Sequence, residues 1–70
     1  MKFTIDCEQE GDGRWIAEAL EMPGVLAYGH SLQEAIAKVQ ALGLRVIADR
    51  LEHDEGLAIP LTFSHNLGRL

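Results

Sequence analysis

Residues 2–20, KFTIDCEQEGDGRWIAEAL, consist of two alternating segments joined by a glycine-rich break. In the first segment Phe3, Ile5 and Cys7 alternate with polar residues, and this period of two predicts a strand with one buried face. Residues 10–13, EGDG, follow it, and glycines there supply the positive backbone angles of a tight turn. The segment therefore predicts an antiparallel hairpin.

The second strand of this hairpin, residues 14–20, has two different faces. One face is entirely apolar, and we assign it to the core because it carries no charge: Trp15, Ala17 and Ala19. The other face mixes apolar and acidic side chains: Ile16, Glu18 and Leu20. Small alanines beside a large tryptophan leave room for a helix to lie close to the sheet.

A third strand is predicted over residues 25–29, after the turn EMPG of residues 21–24. Pro23 presets one backbone angle of that turn, and Gly24 tolerates the positive angle that follows. The connections are too short for a crossover, so the three strands form an antiparallel meander.

A long helix is predicted from residue 32 to about residue 52. Ser31 and Glu34 form a capping box at its start, and apolar residues then recur at helical spacing. The second half carries an additional apolar set away from the main stripe: Leu44, Ile47 and Leu51. Two interpretations stay open for this set, a wider core closed by the C-terminal segment or a contact between subunits.

A fourth strand is predicted over residues 57–63, where Pro60 favours an edge position because it lacks an N–H. Residues 64–70 are expected to form a frayed tail. The prediction is one α+β domain over residues 1–70, ordered β-β-β-α-β, with a long helix on one face of a four-stranded sheet. If the last strand lies beside the first, the two are parallel and the sheet is mixed.

Composition narrows the classes of function. The 70 residues carry 11 acidic and 6 basic side chains, a net charge of -5, which argues against nucleic acid or anionic lipid as a direct partner. A basic protein is favoured as the partner, and self-association is expected of a chain with so small a core.

Cys7 is the single cysteine, which excludes an intrachain disulfide and suits a reducing compartment. Neither a signal peptide nor a membrane span is recognised, so we expect a cytoplasmic protein.

The residue types used most often in catalysis form no recognisable arrangement, and no cofactor is predicted. His30, His53 and His65 lack any spacing that chelates zinc, and we interpret them as surface residues. Cys7 is expected to be a small buried hydrophobe, and the adjacent Asp6 and Glu8 would raise the pKa of its thiol.

The sheet face opposite the helix is the candidate site. It is expected to combine three acids with two apolar residues: Asp6, Glu8, Glu18, Ile16 and Leu20. Three interpretations remain: a hydrated surface, a docking surface for a basic protein, and a weaker one in which Asp6 and Glu18 begin a metal-nuclease site.

Three short motifs together resemble the HicB-like antitoxin domain: residues 12–17 (DGRWIA), 20–25 (LEMPGV) and 29–35 (GHSLQEA). Members of that family show an aromatic residue after a glycine-containing hairpin turn, a Leu-Pro-Gly turn, and a Gly-x-Ser/Thr-x-x-Glu-Ala helix start. The resemblance covers residue 2 to about residue 45. The matching scaffold positions are Trp15, Pro23, Gly24, Gly29, Ser31 and Glu34. This chain departs from the pattern at Met22, where leucine is frequent, and at His30, where an acid is common.

The resemblance implies a partial ribonuclease H-like fold without nuclease activity, and neutralisation of a small basic RNA-cleaving toxin by occlusion. Complete members often add a DNA-binding domain, and none is expected within residues 1–70. The favoured hypothesis is therefore a non-catalytic protein-binding domain. The alternatives are a homo-oligomeric regulatory or structural module and a divalent-metal nuclease.

Overall fold

The computed structural model describes residues 2–53 and 62–66. Its elements follow in the order β1 (Lys2–Gln9), β2 (Trp15–Ala19), β3 (Leu26–Gly29), α1 (Leu32–His53) and β4 (Thr62–Asn66). The strands form one sheet in the order β3-β2-β1-β4, in which β1 is antiparallel to β2 and parallel to β4. The predicted α+β class, element order and mixed sheet are confirmed.

Both predicted turns have the geometry that their glycines permit. In the first, the Gly13 N–H donates to the Glu10 carbonyl at 3.0 Å, and Gly13 has φ 93°. In the second, the Val25 N–H donates to the Met22 carbonyl at 3.0 Å, and Gly24 has φ 86°. Proline followed by a glycine with positive φ is typical of a type II turn. These two turns hold β1, β2 and β3 in their antiparallel meander.

One face of the sheet forms the core together with α1. The inward residues of β1 and β2 are buried as the alternation predicts: Phe3, Ile5, Cys7, Ala17 and Ala19. Ala35 and Val39 of α1 are fully buried against them, and Trp15 is partly buried against the same cluster. The small side chains of β2 therefore face the helix, as the sequence predicts, and the opposite face of the sheet stays uncovered by described residues.

The start of α1 is fixed by the predicted capping box. The Glu34 N–H donates to Ser31 Oγ at 3.1 Å, and Glu34 Oε1 accepts the His30 N–H at 2.8 Å. The carboxylate thus reaches one residue further back than in the standard motif, where it bonds the N-cap amide. Gly29 lies directly beneath this turn, because a Cβ atom there would be only 2.5 Å from the Ala35 backbone nitrogen.

The fourth strand begins later than the sequence predicts. β4 spans Thr62–Asn66, so the assignment of residues 64–66 to a frayed tail is wrong. Their parallel pairing with β1, in which Thr4 lies opposite Ser64, supplies backbone partners that the local pattern cannot reveal. The edge position is confirmed. Pro60 and the rest of the predicted strand before residue 62 lie outside the described residues.

The additional apolar set on α1 divides between core and surface. Ile47 is only 6% exposed and belongs to the core, so the subunit-contact interpretation is wrong for this residue. Leu51 is partly buried against the same cluster, whereas Leu44 is 46% exposed. The wider core accounts for Ile47 and Leu51, because the helix presents a broad apolar arc to the sheet. Leu44 alone of the three stays on the surface.

Candidate protein-docking face

The sheet surface that faces away from α1 is here called the outer face, and it consists of rows of paired residues. Side chains of residues that pair across neighbouring strands project from the same side of a sheet. One row contains Glu8, Ile16 and Tyr28, and the next contains Asp6, Glu18 and Leu26. Leu20 extends the face beyond β2, where its N–H donates to the Thr4 carbonyl at 3.0 Å.

Large apolar side chains are concentrated on this face. Leu20 is 52% exposed, Tyr28 41% and Leu26 38%, and Ile16 beside them is half-buried. Among the described residues, the one other large hydrophobic side chain exposed to this degree is Leu44, on α1. The outer face therefore has an apolar area made of these four side chains on and beside β2 and β3, and the predicted exposure of Leu20 is confirmed.

Sequence reasoning missed two residues of this face, Leu26 and Tyr28. Alternation along β3 places Val25, Ala27 and Gly29 toward the helix, which leaves Leu26 and Tyr28 on the outer face. The small residues Ala27 and Gly29 were the available signal, because a helix lying close to the sheet requires small side chains beneath it. Because β3 is short, its sequence alone does not show which of its side chains point toward the helix, and the register with β2 is needed to assign them.

Three carboxylates border the apolar area. Asp6 lies directly opposite Glu18 in the pairing of β1 with β2, and Glu8 lies opposite Ile16. Glu8 and Glu18 are exposed, and Asp6 is half-buried. Like charges directly opposite each other on neighbouring strands repel, which is a local cost to the sheet.

Arg14, a basic residue next to this face, is already engaged. Arg14 lies over the ring of Tyr28, with 4.8 Å between its guanidinium carbon and the ring centroid. Arg14 Nε donates to Asp12 Oδ2 at 2.8 Å. The pKa of Asp12 is lowered, chiefly by the hydrogen bond from the Arg14 backbone N–H and further by the Arg14 side chain. The turn carboxylate thus offsets the charge of Arg14 at the border of the outer face.

Glu21, also near this face, has a structural role as a hydrogen-bond acceptor for the backbone. Its Oε1 accepts the Thr4 N–H at 2.7 Å, just beyond the end of β2. That amide bond is the main reason why the pKa of Glu21 is lowered, since burial acts in the opposite direction. The side chain supplies the acceptor that a longer β2 would have given to β1.

Cys7 lies on the opposite, buried side of the sheet and is 0% exposed. Burial raises the pKa of its thiol, and the negative charge of Asp6 raises it further. A buried thiol of raised pKa is a poor nucleophile at neutral pH. The predicted burial of Cys7 is confirmed.

Two of the histidines, His53 and His65, lie apart from the outer face. His65 was expected in the tail but belongs to β4, and its Nε2 lies 2.8 Å from Gln40 Nε2 of α1. His53 Nδ1 lies 2.7 Å from the Asp49 carbonyl oxygen, near the end of α1. Within residues 2–53 and 62–66, no three histidine, cysteine or acidic side chains are grouped to hold a metal ion.

Comparison with known proteins defines the fold. No protein-family model and no curated protein matches the chain. Among solved structures, the chain is similar to the hypothetical protein TTHA1013 from the extremely thermophilic bacterium Thermus thermophilus. The match has a TM-score of 0.67 and 22% sequence identity, and covers 100% of this chain and 96% of that chain. At that identity the likeness shows a shared α+β fold alone.

The described part of α1 is not apolar enough along its length to cross a membrane.

Proposed function

We propose that this chain is a non-catalytic protein-binding domain of the HicB-like antitoxin type. In this proposal it acts in the cytoplasm and neutralises a small basic RNA-cleaving protein by covering the surface with which that protein binds RNA. The observation that supports it best is the outer face, where exposed apolar side chains of β2 and β3 adjoin the carboxylates of β1 and β2.

The apolar and acidic parts of the outer face would make different contributions. Burial of Leu20, Leu26 and Tyr28 would provide most of the affinity, because removal of apolar area from water is the main favourable term in association. The carboxylates of Glu8 and Glu18 would contribute orientation and association rate rather than raw affinity. A partner that fits this face presents an apolar anchor surrounded by lysine or arginine.

The chemistry of an RNA-cleaving partner agrees with this arrangement. A protein that binds RNA uses lysine and arginine to neutralise phosphates, so its active surface is positively charged. A chain of net charge -5 attracts such a surface over a distance and then competes with RNA for the same cations. Because Arg14 is engaged by Asp12 and Tyr28, its positive charge at the border of the outer face is partly offset.

The direct test is to determine whether the neighbouring reading frame encodes a small basic protein, and to co-express that protein with this chain for pull-down and an RNA-cleavage assay. The wild-type chain is expected to capture that protein and to suppress its cleavage of RNA. The outer-face variant Glu18→Lys plus Leu20→Asp should lose at least about tenfold in affinity, because it reverses a charge and introduces another into the apolar area.

The chain offers a matched control on the opposite side of the molecule. Glu52→Lys plus Leu44→Asp makes the same two substitutions at exposed positions of α1, so net charge and exposure change equally. This control should bind like the wild type. Equal loss in both variants, or no capture by the wild type, would exclude the outer face as the docking site.

Ionic strength provides a second measurement on the same complex. If carboxylates steer the encounter, the association rate should fall as the salt concentration rises, and the rate of the outer-face variant should depend less on salt.

The metal-nuclease alternative is tested by an RNA-cleavage assay on this chain alone. Cleavage that is lost in Asp6→Asn or Glu18→Gln would replace the proposal by the metal-nuclease hypothesis.

A further inference from the structure

Among the described residues, no strand pairs with the outer side of β3, so its backbone hydrogen-bonding groups are open there. The Ala19 N–H donates to the Val25 carbonyl at 3.0 Å, and Ala17 pairs with Ala27. Backbone groups of an antiparallel strand point alternately to its two sides, so Val25 and Ala27 are directed toward β2. The N–H and C=O groups of Leu26 and Tyr28 are therefore directed away from the sheet, where no described strand follows β3.

This edge lacks the side chains with which proteins commonly prevent pairing. Lysine, proline, bulges and very short edge strands all hinder the addition of another strand. The sequence of β3 is Leu-Ala-Tyr-Gly, with neither a charge nor a proline. At its C-terminal side the next amide, that of His30, already donates to Glu34 Oε1 at 2.8 Å. The open groups are thus confined to a short, neutral segment.

We infer that two copies of this chain pair through β3 in an antiparallel arrangement. Leu26 of each copy would lie opposite Tyr28 of the other, and Ala27 would meet its equivalent on the two-fold axis. Because Leu26 and Tyr28 both direct their backbone groups outward, each of the two pairs exchanges two hydrogen bonds, about four in all. The pattern is self-complementary, as an isologous contact requires.

Side chains support the same register. Leu26 and Tyr28 of the two copies would be neighbours on one continuous outer face, and an aromatic side chain beside an aliphatic one is a favourable cross-strand pair. Ala27 on the helix side is small enough not to obstruct the axis. Each copy carries a charge of -5, and the absence of charge from β3 lets the copies meet without opposed carboxylates at the contact.

Cross-linking tests the register directly. Ala27 and its equivalent would form a non-hydrogen-bonded pair with about 4.5 Å between Cα atoms, within disulfide range. Ala27→Cys should give a covalent dimer on mild oxidation, whereas the wild type, whose Cys7 is buried, should not. Ser64→Cys on the opposite edge strand is the control. A cross-link at Ser64→Cys but not at Ala27→Cys would overturn the inference.

Solution mass at several concentrations tests the energetics. Leu26→Pro removes an outward N–H from each copy and leaves the pairing with β2 intact, so the dimer should weaken by at least about tenfold. Leu26→Ala retains the amide, so it should weaken the dimer less than Leu26→Pro does. Leu20→Asp should leave the stability of the dimer unchanged. Circular dichroism establishes whether Leu26→Pro is folded; if it is not, the cross-linking result decides.

The inference does not depend on the proposed function. A wild-type chain that is monomeric at all concentrations, or a dimer that Leu20→Asp dissociates but Leu26→Pro does not, would overturn pairing through β3. A dimer that behaves as expected but captures no basic protein would instead leave the inference standing and remove the proposed docking partner.

Discussion

Gly29 shows how one residue sets the distance between sheet and helix. It is buried at the end of β3, and a Cβ atom there would lie 2.5 Å from the Ala35 nitrogen and 3.0 Å from the Ala35 Cα. These are backbone atoms of α1, which move only if the whole helix start moves. Gly29→Ala should therefore destabilise the domain by about 1–3 kcal/mol, measured by urea unfolding.

Gly11 is the matched control for that substitution. It lies in the first turn with nothing within 4 Å of a Cβ atom, and it lacks the positive φ of Gly13. Gly11→Ala should change the free energy of unfolding by no more than about 0.5 kcal/mol. Equal effects at Gly11 and Gly29 would mean that the contact with α1 is not what excludes a side chain at residue 29.

At the scale of the element, the start of α1 makes stability depend on pH. The pKa of Glu34 is lowered, chiefly because its carboxylate accepts the His30 N–H, and the charge of Lys38 adds to the effect. A carboxyl group whose pKa is lower in the folded state stabilises the fold above its unfolded pKa, and the contribution disappears as pH falls through the folded-state pKa. Glu34→Gln removes that titration.

The expected result is a gap between wild type and Glu34→Gln that is widest at neutral pH. The gap should close in acid, where the wild-type carboxyl group is protonated and resembles the amide. Urea unfolding at a series of pH values measures it, with Glu52→Gln at the other end of α1 as control. A gap that stays constant with pH would show that the capping carboxylate contributes no charge-dependent stability.

For the molecule as a whole, the acidic residues of the outer face are expected to favour binding of a basic partner and to lower the stability of the isolated domain. Asp6 and Glu18 lie opposite each other, so Glu18→Lys should raise the free energy of unfolding of the isolated domain by about 0.5 kcal/mol. The same substitution should weaken capture of a basic partner, because it removes a steering carboxylate. Glu8→Lys, opposite Ile16, should stabilise less. A destabilised Glu18→Lys domain would contradict this view of the face.

Local signals in the sequence account for much of the fold. The turn glycines, the proline turn and the capping box use interactions between near neighbours, so their residues alone predict them. The inward set of β1 and β2 follows from a period of two and from charge. The same alternation placed Asp6, Glu18 and Leu20 on the outer face correctly, since a strand offers only two faces.

The sequence by itself thus determined the order of elements, the covered side of the sheet and the acidic, partly apolar character of the other side. Tertiary structure alone decided that β4 begins at Thr62, that Ile47 lies in the core, and that Leu26 and Tyr28 complete the outer face. The physical reason is distance along the chain. Strand register and helix rotation depend on pairing and packing with remote segments, and no local pattern encodes the partner that each residue will meet.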